Sequence, residues 1–134
     1  MIGLSNKLVK IIINPDKGLY QIKGNPSLEI ESPTIHKNSV SYSVKTKEGN
    51  YNIQTNENLI FGNAAGGEIL FRLPNASDIQ GMKIIVKKTD QTANAVVISG
   101  SSSSQTIDGE TEKRITTPFV SFHFIASGSN WYIV

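Results

Sequence analysis

The sequence predicts an all-β fold of antiparallel β-sandwich or barrel-like modules with little or no helix, and three observations point there. Short runs alternate apolar and polar side chains with a period of two, turn-forming clusters recur about every eight to twelve residues, and helical periodicity is nearly absent.

Taken in order, LVKIII, YQIKG and SLEIES read as strands separated by Asn14-Pro15-Asp16-Lys17-Gly18 and Gly24-Asn25-Pro26. Proline presets φ in these turns and glycine supplies the conformations other residues avoid. In SVSYSVKT, Val40, Tyr42 and Val44 alternate with Ser39, Ser41 and Ser43, the pattern of a strand with one buried and one wet face. Glu48-Gly49-Asn50 then turns the chain into NYNIQT. EILFRL places Ile69, Phe71 and Leu73 on one side, and MKIIVKK does the same with Met82, Ile84 and Val86 before two lysines that read as a strand exit. Asn75-Ala76-Ser77-Asp78-Ile79-Gln80 carries a capping residue but is bounded by Pro74 and Gly81, so it has room for one helical turn at most. AVVIS and KRITT follow. TTPFVSFHFIAS sets Val120, Phe122, Phe124 and Ala126 against Phe119, Ser121, His123 and Ile125. After Ser127-Gly128-Ser129-Asn130 the run NWYIV divides into Trp131 and Ile133 on one face and Tyr132 and Val134 on the other.

Composition narrows the function classes. The chain has 134 residues, enough for one ordinary core or two small domains. Only 18% of residues are charged, while Ser, Thr, Asn and Gly fill surface-type positions. The net charge is +2, the basic residues are scattered among the acids, and the only arginines are Arg72 and Arg114, so no nucleic-acid partner is expected. Cysteine is absent, which removes disulfides, thiolate metal sites and cysteine nucleophiles. The opening MIGLSNKLVKIIINP is interrupted by Lys10 and too short for a signal h-region, and no later run is long enough for a membrane span.

The glycines in NENLIFGNAAGGE suggest a boundary between about Asn56 and Gly67. Residues 1–60 are expected to form an N-terminal β region, an attachment or first β module, and residues 61–134 a C-terminal antiparallel β module. Ser101-Ser102-Ser103-Ser104 reads as a solvated loop within the second.

Each candidate for chemistry has a structural reading that fits better. His36 and His123 are far apart in sequence, and a metal site or catalytic triad at either would need further converging groups. Asp108-Gly109 is a hairpin-turn signal, so Glu110 and Glu112 beside it read as turn neighbours rather than paired acid–base carboxylates. Asp90 reads as strand-end turn chemistry, with an ion pair to a neighbouring subunit left open. Gly62, Gly66 and Gly67 lack the following Gly-Lys-Ser/Thr of a phosphate loop. No catalytic, cofactor or metal residue is assigned, no cofactor is expected, and the protein is expected not to be an enzyme. Trp131 and Tyr132 could stack on a sugar, which makes a carbohydrate or host cell-surface binding module the alternative function. AVVIS and FVSFHFI are apolar on both faces, and in so small a chain the second face points to an interface. The expected core or subunit-interface residues are Phe119, Phe122, Phe124, Ile125, Trp131, Tyr132 and Ile133, with Asp108 and Gly109 as the turn.

One stretch carries a likeness. From about Glu68 to Val134 the order is a strand ending in Leu73-Pro74, then Asn75-Ala76-Ser77-Asp78, Gly81 opening IIVKKTD, a valine-rich strand, Gln105-Thr106-Ile107-Asp108-Gly109, and Gly128-Ser129-Asn130-Trp131-Tyr132-Ile133-Val134. This resembles a C-terminal β module of bacteriophage and other viral structural proteins: tail fibres, spikes, head fibres and capsid decorations. The resemblance implies a noncatalytic virion component, commonly a homotrimer, that contacts other capsid or tail proteins and in some cases a host surface glycan. Residues 1 to about 67 carry no such likeness.

Overall fold

The computed structural model describes residues 12–14, 19–21 and 41–134. The chain divides into two units, Met1–Ser39 and Val40–Val134. In the first, β1 (Ile12–Asn14) and β2 (Leu19–Gln21) pair antiparallel, with Ile13 opposite Tyr20. The expected SLEIES strand and His36 lie outside the described residues. The stretch read as a boundary, residues 56–67, falls inside the second unit.

That unit holds β3 (Val44–Lys47), β4 (Tyr51–Asn52), β5 (Leu59–Gly62), β6 (Ile69–Arg72), β7 (Lys83–Lys88), β8 (Val96–Ser99), β9 (Glu112–Ile115), β10 (Ser121–Ser127) and β11 (Asn130–Ile133). One turn of 3-10 helix, Ala76–Asp78, is the only helical element among the described residues, and the Asn75 side chain accepts from the Ser77 amide at its start. The protein is all-β, but the pairing is mixed rather than antiparallel. One sheet runs β11-β10-β7-β5-β3 and the other β4-β6-β8-β9. From β3 to β8 the chain alternates between the sheets, so β3/β5, β5/β7, β4/β6 and β6/β8 are parallel. Parallel neighbours need a crossover, and here the crossover is a strand of the opposite sheet. Only β9, β10 and β11 add antiparallel pairs.

The inner faces of the sheets meet in one apolar cluster. Ile60, Ile84, Val86, Phe124, Ala126 and Trp131 come from the five-stranded sheet, and Ile69, Phe71, Val96, Ile98 and Ile115 from the four-stranded one. The alternation read in EILFRL and MKIIVKK therefore locates the core correctly. SVSYSVKT behaves differently. The strand starts only at Val44, the last member of its sheet, and Tyr42 and Val44 are 61% and 47% exposed. Gly62, on the inner side of β5, lets the sheets close: a Cβ there would sit 2.9 Å from Val96 Cγ2 and 3.0 Å from Phe71 Cε2. Gly62→Ala is expected to cost about 1–3 kcal/mol by overpacking, read as a lower urea midpoint.

At the β3/β4 end the core is closed by polar contacts. Lys47 Nζ stands 4.0 Å above the Tyr51 ring, which meets Phe71 edge-on, and the Tyr51 hydroxyl donates to the buried Glu57 carboxylate. Burial, then that hydrogen bond and the Glu57 charge, raise the tyrosine pKa. At the other end Trp131 is fully buried, with its indole Nε1 donating to the Pro74 carbonyl at 3.2 Å. Its backbone is tied to Thr106 and Asp108, so β11 is fixed on both sides.

Candidate subunit interface

The two sheets differ on their outward faces, and that difference locates the candidate site. On the four-stranded sheet the outward positions include Arg72, Ser99, Glu112 and Arg114, and Arg114 pairs with both Glu68 and Glu112. This is a wet, charge-paired face, with Val97 buried within it. On the five-stranded sheet the register sets Val44 beside Leu59, Leu59 beside Ile85, and Ile85 beside His123. Ile125 lies beside Tyr132 on one side and Lys83 on the other, and Phe61 beside Thr46 and Lys87. Val44, Leu59, Phe61, Ile85, Ile125 and Tyr132 thus form an apolar field in which the only charged side chains are Lys83 and Lys87. These side chains are half-buried or exposed, whereas the inner face of the same strands is closed. Five strands at a spacing of about 4.8 Å make a face on the order of 20 Å across.

The residues expected at the core or interface separate cleanly. Phe124 and Trp131 are fully buried, and Phe122 and Ile133 pack against the same cluster, with Phe122 meeting Phe124 edge-on. Ile125 and Tyr132 point outward, Tyr132 at 45% exposure. Burial removes Trp131 as a platform for a sugar ring and leaves Tyr132. Phe119 is not on a strand face: it sits in the turn before β10, 52% exposed, with φ of 63°. The Asp108-Gly109 turn is formed, both residues at positive φ, with Ile107 and Glu110 exchanging backbone hydrogen bonds across it. Asp108 Oδ1 also accepts from the Ile133 amide at 3.2 Å.

Leu59 and Phe61 escaped the sequence reading because the glycines of NENLIFGNAAGGE gave that stretch the look of a boundary loop, whereas Leu59–Gly62 is a strand, and Ile85 escaped it because only one face of its strand was followed. The signal was present in the unbroken runs Leu59-Ile60-Phe61 and Ile84-Ile85-Val86.

Lys88 also differs from expectation, while Asp90 makes the strand-end turn contacts that were expected and takes its ion-pair partner from its own chain. Lys88 is not an exit into solvent but fully buried on the inner face of β7, its Nζ 2.5 Å from Asp90 Oδ1. The same carboxylate accepts from the Ala64 amide at 2.7 Å and from the Thr92 amide and hydroxyl. Asn94 completes the tie by donating to the Ala64 carbonyl. Burial opposes the charged carboxylate, but the bonds from Lys88, Thr92 and the two amides outweigh it and hold Asp90 well below the usual carboxylate range. The ion pair is internal to the chain and fastens the Asn63–Gly67 loop to the end of β7. Among the described residues no group of three or more His, Cys, Asp or Glu is placed to hold a metal. An open depression of about 630 Å³ lies along β9, lined by Glu110, Thr111, Glu112, Lys113, Arg114 and Phe122. No protein-family model matches the chain, and no curated protein matches its sequence.

Proposed function

We propose that the protein is a noncatalytic virion structural subunit, a spike, fibre or decoration component of a bacteriophage capsid or tail, that works by assembling with copies of itself. The observation that supports assembly is the outward apolar face of the five-stranded sheet, set against the charge-paired outer face of the other sheet. A soluble chain rarely leaves such a continuous apolar patch uncovered without a partner. In this reading the two sheets form a sandwich-like module, a threefold arrangement follows from the likeness to viral fibre and decoration modules, and the virion location rests on that likeness alone.

Two measurements test the proposal. Mass photometry at micromolar concentration is expected to show a discrete oligomer, and the double substitution Ile85→Thr with Tyr132→Thr, which keeps strand propensity, is expected to shift it to monomer with little loss of fold. A wild-type chain that is strictly monomeric would remove the assembly reading. Mass spectrometry of purified particles made from the genome that encodes the chain is expected to find it there in fixed ratio to the capsid protein; its absence would remove the virion reading.

A further inference from the structure

We infer that His123 is a proton-operated release in the contact between copies of the chain: neutral, it belongs to the apolar field, and charged, it drives the copies apart. The inference rests on the self-assembly reading above. In β10 the inner positions are Phe122, Phe124 and Ala126, which places His123 with Ser121 and Ile125 on the outward face. The register then sets one row of side chains across all five strands. Val134 lies opposite His123, its amide donating to the His123 carbonyl at 3.0 Å, and on the other side Ile85, Leu59 and Val44 follow in turn. The imidazole is the only titratable side chain in that row. It stands inside the field, with Ser121 and Ile125 before and after it on its own strand.

The surroundings give its proton a definite effect. From β7, Lys83 and Lys87 flank Ile85 and are the diagonal neighbours of His123, on the order of 7 Å away. Lys87 is held beside the row, because its Nζ donates to the Phe119 carbonyl at 2.6 Å. From β11, the facing groups are Tyr132 and the Val134 terminus. Asp108, beyond β11, accepts from the Ile133 amide, and Glu48, after β3 and three strands away, accepts from the Asn63 side chain. Among the described residues, then, no acidic side chain lies beside His123 on β7, β10 or β11. In the free chain the ring is half-buried and water solvates its charged form. In the contact that water leaves, and the imidazolium becomes a third cation between two lysines in a covered apolar row. Histidine changes charge just below neutrality. Separated chains therefore take up the proton more readily than assembled ones, and by linkage acid favours separation.

The test measures the dissociation constant of the full-length chain by sedimentation at pH 7.5 and pH 5.5, for wild type, His123→Gln and His123→Lys. Far-ultraviolet circular dichroism monitors the fold at both values. Wild type is expected to weaken by about tenfold or more on acidification, since each excluded proton contributes up to about tenfold per pH unit. Glutamine, polar but with no proton to gain, is expected to weaken far less, and lysine, charged throughout, to assemble poorly at both values. If wild type and His123→Gln weaken equally, the release is overturned while self-assembly stands. Assembly of His123→Lys as tight as wild type at pH 7.5 overturns it too, because the contact would then tolerate a charge at this position. So does a wild type that tightens in acid, with the charged ring paired to the Val134 terminus, or one that loses its fold at pH 5.5. A wild type that is monomeric at pH 7.5 overturns the assembly reading as well.

Discussion

Trp131→Ala is expected to remove about 3–5 kcal/mol from the Val40–Val134 unit, enough to leave it largely unfolded at 37 °C. The indole is the largest fully buried side chain among the described residues, and it belongs to the apolar cluster to which both sheets contribute. Truncation deletes its apolar area, opens a cavity beside Ala126, its cross-strand neighbour, and leaves the Pro74 carbonyl without the indole N–H. Deleting residues 131–134 goes further by also stripping β10 of its outer partner. Urea denaturation followed by far-ultraviolet circular dichroism reads both changes. A folded and correctly assembled truncation would show that β11 is dispensable and that the core is closed elsewhere.

The second large effect is expected at Asp90. Asp90→Ala leaves the Lys88 ammonium buried with no counter-charge and frees the Ala64 amide, for a loss of about 3–5 kcal/mol. The double substitution Lys88→Met with Asp90→Ala is expected to recover a large part of that loss, because it removes the stranded charge as well. If the double variant is no more stable than Asp90→Ala, the main contribution of Asp90 is the loop tie rather than the ion pair. The pH dependence has a definite sign. The folded pKa of Asp90 lies below its unfolded value of about 3.9, so its contribution is complete above that value and is lost as pH falls through the interval beneath it. Urea midpoints measured from pH 6 down to pH 2.5 are expected to fall more steeply for the wild type than for the double variant.

How much of this was legible in the sequence depended on how local the determining physics was. Ile69, Phe71 and Leu73, and likewise Ile84 and Val86, were placed in the core by alternation, because a strand's two faces are set by the chain's own pleat. Asp108-Gly109 and Gly128-Ser129 were readable as turns for the same reason, the positive φ of Asp108, Gly109 and Gly128 being a property of a few adjacent residues. Strand direction was not readable: alternation is identical for parallel and antiparallel partners, and nothing within Leu59–Gly62 says that its neighbours are β3 and β7. Lys88 was misplaced because a lysine after an apolar run ordinarily meets water, and its burial is decided by Asp90 and the loop at Ala64. Asp90-Gln91-Thr92 did carry a clue, an aspartate able to cap amides two residues on. Phe119 was drawn into a strand although Pro118 before it pointed to a turn. The outward apolar face was half legible: Ile125 and Tyr132 stood among the residues read as core or interface, whereas Leu59 and Ile85 join them only through the cross-strand register.

The alternation of strands between two sheets also sets the order in which the molecule can come together. β5 has partners on both sides only when β3 and β7 are in place, and β6 only when β4 and β8 are. No consecutive pair from β3 to β8 can form a hairpin and wait, so early contacts close long loops before any sheet gains a second ladder. Such topologies fold slowly and expose bare strand edges meanwhile. Synthesis must deliver several circuits before any of them is worth keeping, and a cut between β5 and β6 parts β5 from β7 and β4 from β6, so that each sheet loses a ladder at once.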